Sequence, residues 1–219
     1  MPSAKPLNES AICDVLSAPR STTYITAVGG DKAHAMELYG WNARIAAAFM
    51  LPSHFAEITV RNAASEAIAA TYGPRWPWST GFERALNPPK SRAYDPQRDL
   101  IETRKRHTTT DKVIAELKFK FWQSMFTARH DHRLWNRYIL TLFPNAKGMT
   151  AAQLRHRIYD DLEAIRTLRN RLAHHEPIFT RNLEDDLMRM LELVELRSTP
   201  TLDWVCAMED VTSILAERP

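Results

Sequence analysis

The chain has 219 residues, 44% of them hydrophobic and 25% charged, with only 6 glycines. This is the composition of a protein with a buried core rather than a disordered one, and the scarcity of glycine disfavours a strand-rich fold with many tight turns. A formal charge of +3, from 29 basic and 26 acidic residues, is too mild to indicate nucleic acid by itself.

No charged-then-apolar segment precedes a cleavage site, and no apolar run reaches the ~18 residues of a membrane span. A cytoplasmic protein without a membrane partner is the expectation. Cys13 and Cys206 lie far apart without metal-ligand spacing and are expected to be buried free thiols.

Taken in order, the chain reads as helices with punctuation. Asn8 to Leu16 and Ser21 to Val28 predict two short helices, an N-terminal extension over residues 1–30 that Gly29 and Gly30 stop. Asp31 caps a longer helix carrying Met36, Leu38, Tyr39, Trp41, Ile45 and Phe49. The Leu51–Pro52 step is expected to break it, so that the next helix runs from Ser53 to about Tyr72, before Gly73.

Residues 74–94 combine several prolines with Trp76, Trp78, Phe82 and Tyr94 and predict a loop pinned by aromatic side chains. The two tryptophans are expected to anchor it, base stacking being the alternative. Helices are then predicted over Pro96 to His107, Asp111 to Ala128 and His132 to Phe143, with His130, Asp131 and His132 in a solvated turn.

The strongest pattern runs from Thr150 to about Ala173. There Leu154, Ile158, Leu162, Ile165, Leu168 and Leu172 recur every three or four residues and draw one continuous apolar stripe. Pro177 closes the segment, and helices near Arg181 to Leu196 and Leu202 to Ala216 complete an all-α protein. One all-helical domain over residues 1–219 is expected.

The same segment holds the candidate chemistry. Arg155, Arg157, Arg166, Arg169 and Arg171 concentrate positive charge, although Asp160, Asp161 and Glu163 make a solvated helix face an equal reading. Arg166, Asn170 and His174 fall at i, i+4 and i+8 and are surface neighbours, with Arg169 at the edge of the stripe. A guanidinium, an amide and an imidazole so placed suit RNA transesterification. Histidine moves protons near neutral pH, arginine holds the phosphate oxygens, and the attacking 2′-hydroxyl comes from the substrate, so neither metal nor cofactor is required.

One histidine does not serve comfortably as both base and acid at opposite ends of an in-line attack. Two copies meeting across a two-fold axis would supply both. Surface or capping roles for these side chains remain the plain alternative. The His174, His175, Glu176 triplet does not favour a metal, because adjacent helical side chains diverge by about 100°. His175 is read as a packing or interface residue, and Glu176 as a partner for an arginine or for His174.

At RNRLAHHE, residues 169–176, the chain resembles the Abi-like proteins, bacterial abortive-infection factors of the HEPN superfamily. Their mark is an arginine, usually followed by asparagine, with a histidine after four to six intervening residues; Arg169, Asn170 and His174 fit with four. LYGWNARIAAAF at 38–49, EITVRNA from Glu57, ELKFKFWQSMF from Glu116, Leu134–Trp135 and LRNRLAHHEPIF from Leu168 resemble the same family. Lys120 departs from it, since a small residue is expected before Phe121–Trp122, and the departure is expected to affect packing alone.

The resemblance implies a HEPN-like helical bundle with additional N- and C-terminal helices, dimerisation through the motif helices, and endoribonuclease activity as a toxin or in phage defence. Arg169 and His174 would be catalytic and Asn170 their polar partner. Glu57, Arg61 and Asn62 would form a bracing cluster on a neighbouring helix, with a helix-surface salt bridge as the alternative. RNA, such as tRNA or mRNA, a second copy, and an antitoxin or phage-derived trigger are the implied partners. A non-catalytic RNA- or protein-binding module in phage defence or toxin–antitoxin regulation is the competing reading.

Overall fold

The structure is a computed structural model that describes residues 8–86 and 94–219. Part of the expected 74–94 loop, residues 87–93, lies outside the described residues. Among the described residues every regular element is helical. None of these helices is long and apolar enough to cross a membrane.

Three helices form the frame: α4 over Met50–Tyr72, α10 over Ala151–Ala173 and α11 over Leu183–Arg197, with α11 packed on both others. Helix α10 starts where Thr150 and Gln153 form a reciprocal capping box, which satisfies two otherwise free backbone donors. All six apolar residues of its stripe, from Leu154 to Leu172, are buried. Each stabilises the fold by roughly 1.5–3 kcal/mol, so packing rather than helix propensity holds α10 in place.

Around this frame the chain adds α1 (Glu9–Leu16), α2 (Ala18–Ala27) and α3 (Lys32–Ala48) on the N-terminal side. Helices α5 (Thr80–Leu86), α6 (Pro96–Arg104), α7 (Thr110–Glu116), α8 (Phe119–Met125) and α9 (Asn136–Leu142) follow. Helix α12 (Thr199–Cys206) rests on α11 and α4, while α13 (Val211–Ala216) returns to α3 and α11. There the Trp41 indole donates a 2.7 Å hydrogen bond to the Ile214 carbonyl.

Several boundaries differ from the sequence expectation. Helix α4 begins at Met50 rather than Ser53, because the chain bends at Phe49 and leaves Pro52 inside the first turn, where its missing N–H is no loss. The segment expected as one helix from Asp111 to Ala128 is divided at Leu117 and Lys118, both extended. The division lets Val113, Leu117, Phe119, Phe121 and Trp122 all reach the core. The last predicted helix is likewise split, by residues 207–210.

The described part of the expected loop is mostly helical, with a 3-10 turn at Trp76–Trp78 followed by α5. Trp76 is fully buried and its indole donates to Ser65 Oγ at 3.2 Å, so it anchors this segment to α4. His130 is buried rather than solvated, and a π-helical turn from Asp131 to Trp135 leads into α9. Cys13 is half-buried and Cys206 is exposed, so the expectation of two buried thiols is corrected; both are free.

Candidate functional site

The basic run along α10 divides once its partners are known. Arg155 is held by Asp131 at 2.9 Å, and Arg157 pairs with Glu192 and Asp161. Arg166 reaches back one turn to Glu163. These three guanidiniums are committed to the fold, so the convergence of Arg166 with Asn170 and His174 expected from their spacing is not supported. Hydrogen bonding from Arg166, aided by Gln123 and Lys120, holds the Glu163 carboxyl down at about 2.

Gln123 Nε2 lies 2.5 Å from the Glu163 carboxylate and Lys120 Nζ lies 3.4 Å from it. Lys120 thus takes part in the ion-pair network that fixes Arg166, rather than affecting packing alone.

Arg169 is placed differently. From the edge of the stripe it crosses to α4, where its Nε lies 3.2 Å from Glu57 Oε2, and its guanidinium lies over the Phe119 ring at 5.7 Å. An ion pair therefore joins two helices, from Glu57 to Arg169. Among the described residues Arg61 has a buried Nε without a hydrogen-bond partner, Asn62 is exposed, and neither joins this contact. Glu57 engages Nε, and among the described residues the terminal nitrogens of Arg169 make no hydrogen bond.

Asn170 and His174 are exposed, and among the described residues neither side chain makes a hydrogen bond or ion pair. His174 is the last residue of the helical path. Beyond it His175 adopts φ +54, its N–H donates to the Leu172 carbonyl at 3.1 Å, and the Glu176 N–H donates to Arg171 at 2.9 Å. This pair of reversed bonds is a Schellman ending, in which the left-handed position is usually taken by glycine. His175 is exposed here, so its role within one chain is to turn the backbone rather than to pack. Glu176 stands 3.9 Å from Arg171 Nε, a loose ion pair.

The turn is tied down from two sides. Arg20 Nη1 donates to the His175 carbonyl at 2.6 Å, and Asn42 Oδ1 accepts the buried Ile178 N–H at 2.8 Å. Between α1, α2, α3 and the end of α10 lies a cavity of about 790 Å³, whose lining includes Arg20, Tyr39, Asn42, Arg169, Asn170 and His175. Sequence reasoning assigned no function to Arg20, Tyr39 or Asn42. The last two stand inside the LYGWNAR stretch and were within reach; Arg20 has no local signal.

The arrangement offers a braced guanidinium, an unengaged amide and a solvent-facing imidazole at one helix end. No family model, curated protein or solved structure matches the chain, so the functional reading rests on this geometry.

Proposed function

We propose that the protein is a metal-independent endoribonuclease whose site is completed by a second copy of the chain. The observation that carries this is the contrast along α10: Arg155, Arg157 and Arg166 are spent on structural ion pairs, while Arg169 is braced by Glu57 and keeps its outer nitrogens available. Asn170, next in the chain, and His174, on another side of the helix, hold side chains with no bond to the fold among the described residues.

Within one helix Arg169 and His174, five residues apart, point about 140° away from each other. Two antiparallel copies of the helix end would bring each Arg169 toward the other copy's His174. In the reaction the ribose 2′-oxygen bonds to phosphorus and the P–O5′ bond breaks. One His174 takes the 2′-proton, its counterpart in the second copy protonates the departing 5′-oxygen, and Arg169 stabilises the phosphorane charge.

Incubation of the purified protein with cellular RNA in EDTA tests the proposal. New 5′-hydroxyl and 2′,3′-cyclic phosphate ends are expected, and both are lost in His174→Ala and Arg169→Ala. Cleavage that survives both substitutions overturns the assignment.

A further inference from the structure

The cavity beside Arg169 has a chemistry of its own. At about 790 Å³ it falls within the roughly 300–1,000 Å³ of small-molecule sites, which are mostly apolar with a few placed polar groups. Along α3, Tyr39, Ala43 and Ala47 recur every four residues and share one helix face toward it. The two alanines leave a flat wall of methyl groups. Tyr39, at one end of that wall, is half-buried, and its ring rests against the buried Tyr24 ring with centroids 4.8 Å apart. A tyrosine fixed in this way is a platform on which a planar ring can stack.

The charged groups lining the cavity are two guanidiniums and one carboxylate, Glu176, which leaves a net positive charge. Arg20 and Arg169 both line the cavity, and each is anchored through part of its donor fork, Arg20 by Nη1 to the His175 carbonyl and Arg169 by Nε to Glu57. Among the described residues the remaining donors of both guanidiniums make no hydrogen bond, which suits them to bind an anion in paired geometry. Asn42 is pinned by the Ile178 N–H on its Oδ1, which fixes its Nδ2 as a donor. At the mouth, the apolar side chains of Met50 and Val15 are 55% and 85% exposed, surface that a bound ring would cover.

A bare phosphate would leave the tyrosine and alanine wall without a role. An aliphatic ligand would leave two cations answered only by the single Glu176 carboxylate. We infer that this cavity binds a nucleotide unit, its base against Tyr39 and the Ala43–Ala47 wall and its phosphate between Arg20 and Arg169. The inference rests on the ribonuclease reading in one respect only: if that reading holds, the nucleotide is the one whose phosphate Arg169 presents for cleavage. A free mononucleotide carries the same chemistry, and the two sources are separable by experiment.

The four nucleoside 5′-monophosphates and a fully 2′-O-methylated RNA tetranucleotide, which lacks the attacking hydroxyl, are titrated into the labelled full-length protein and followed by NMR. Saturable shifts are expected at the amides of Ala43, Ala47 and Leu172, with nucleosides and inorganic phosphate each binding at least about tenfold more weakly. Tetranucleotide binding as tight as that of the monophosphates, or tighter, assigns the RNA chain as the source. Binding by the monophosphates alone supports the site and assigns it a free nucleotide.

Ala47→Phe fills the cavity from an exposed position, and Arg20→Met removes one cation; each is expected to weaken binding about tenfold or more. No saturable shift with any probe, unchanged affinity in both variants, or shifts that follow protein rather than ligand concentration, as a second copy seated in the cavity would give, overturns the inference. Nucleotide binding without RNA cleavage sinks the ribonuclease reading and leaves this site standing. Cleavage lost in His174→Ala, with affinity unchanged in Ala47→Phe and Arg20→Met, does the reverse.

Discussion

Arg20 on α2 donates a 2.6 Å hydrogen bond to the backbone carbonyl of His175, 155 residues further along the chain. Carbonyls at the end of a helix lack intrahelical donors, and a cation is favoured there by the helix dipole. The N-terminal helical pair therefore does more than extend the bundle: it holds the turn that follows His174. The bond is exposed to solvent, so its net contribution is about 1 kcal/mol or less. Arg20→Met is expected to lower global stability in urea by no more than that. Amide exchange at His175 and Glu176 should accelerate several-fold, and exchange unchanged at both positions would show that the helix end is held without this tie.

His175 sits at φ +54 in the left-handed region, which costs a non-glycine residue roughly 1 kcal/mol. His175→Gly relieves that strain and is expected to raise the melting temperature by about 2–4 °C. His175→Val, with a branched Cβ in the same geometry, is expected to destabilise by about 1–2 kcal/mol. Scanning calorimetry of the two variants checks the opposite signs. Equal melting temperatures would mean that the turn relaxes out of the left-handed region at little cost.

The same turn shows where sequence reasoning stops. The stripe of α10 is legible because six apolar residues obey one local periodicity, and all six are buried. The Schellman ending is not, because its usual glycine is replaced by a histidine, and nothing in HHE announces a left-handed residue. The break at Leu117 and Lys118 has no glycine or proline to mark it; it follows from the need of both flanking helices to reach one core. His130 reads as a turn residue in HDH, yet tertiary packing buries it. Partners distant in sequence, such as Arg20 with His175 or Lys120 with Glu163, leave no periodic trace. The Glu57–Arg169 ion pair joins two helices far apart in the chain and leaves no periodic trace either.

That brace makes a graded prediction under the ribonuclease proposal. Arg169→Ala removes the guanidinium itself and is expected to slow single-turnover RNA cleavage at least about a hundredfold. Glu57→Gln keeps an oxygen near Nε but removes its charge, so Arg169 is held less firmly and the rate is expected to fall about three- to tenfold. Arg169→Lys should not restore the rate, because a point charge lacks the planar fork that one acceptor can anchor while other donors face phosphate. A Glu57→Gln rate as low as that of Arg169→Ala would place Glu57 itself among the reacting groups.

The last prediction concerns acid stability. His130 is 3% exposed, and its burial, with Arg129 and Arg133 adding to it, pushes the imidazole down to about 4 from its usual 6.5. The folded protein thus binds this proton more weakly than the unfolded chain. Above about pH 6.5 the ring is neutral in both states and adds no pH dependence. As pH falls from 6.5 to 4 the unfolded chain gains a proton that the folded one resists, and about 3 kcal/mol of stability is lost. Glu163 works in a lower window: its carboxyl is held at about 2, so what it contributes is present above about pH 4.5 and disappears as pH falls through 2. Urea unfolding of the native protein and of His130→Gln at pH 7, 5.5 and 4 separates the two groups. The difference between the proteins should shrink or change sign in the direction that favours His130→Gln as pH drops to 4. Parallel stability curves would mean that His130 gains its proton without unfolding, through a local opening of the π-helical turn that follows it.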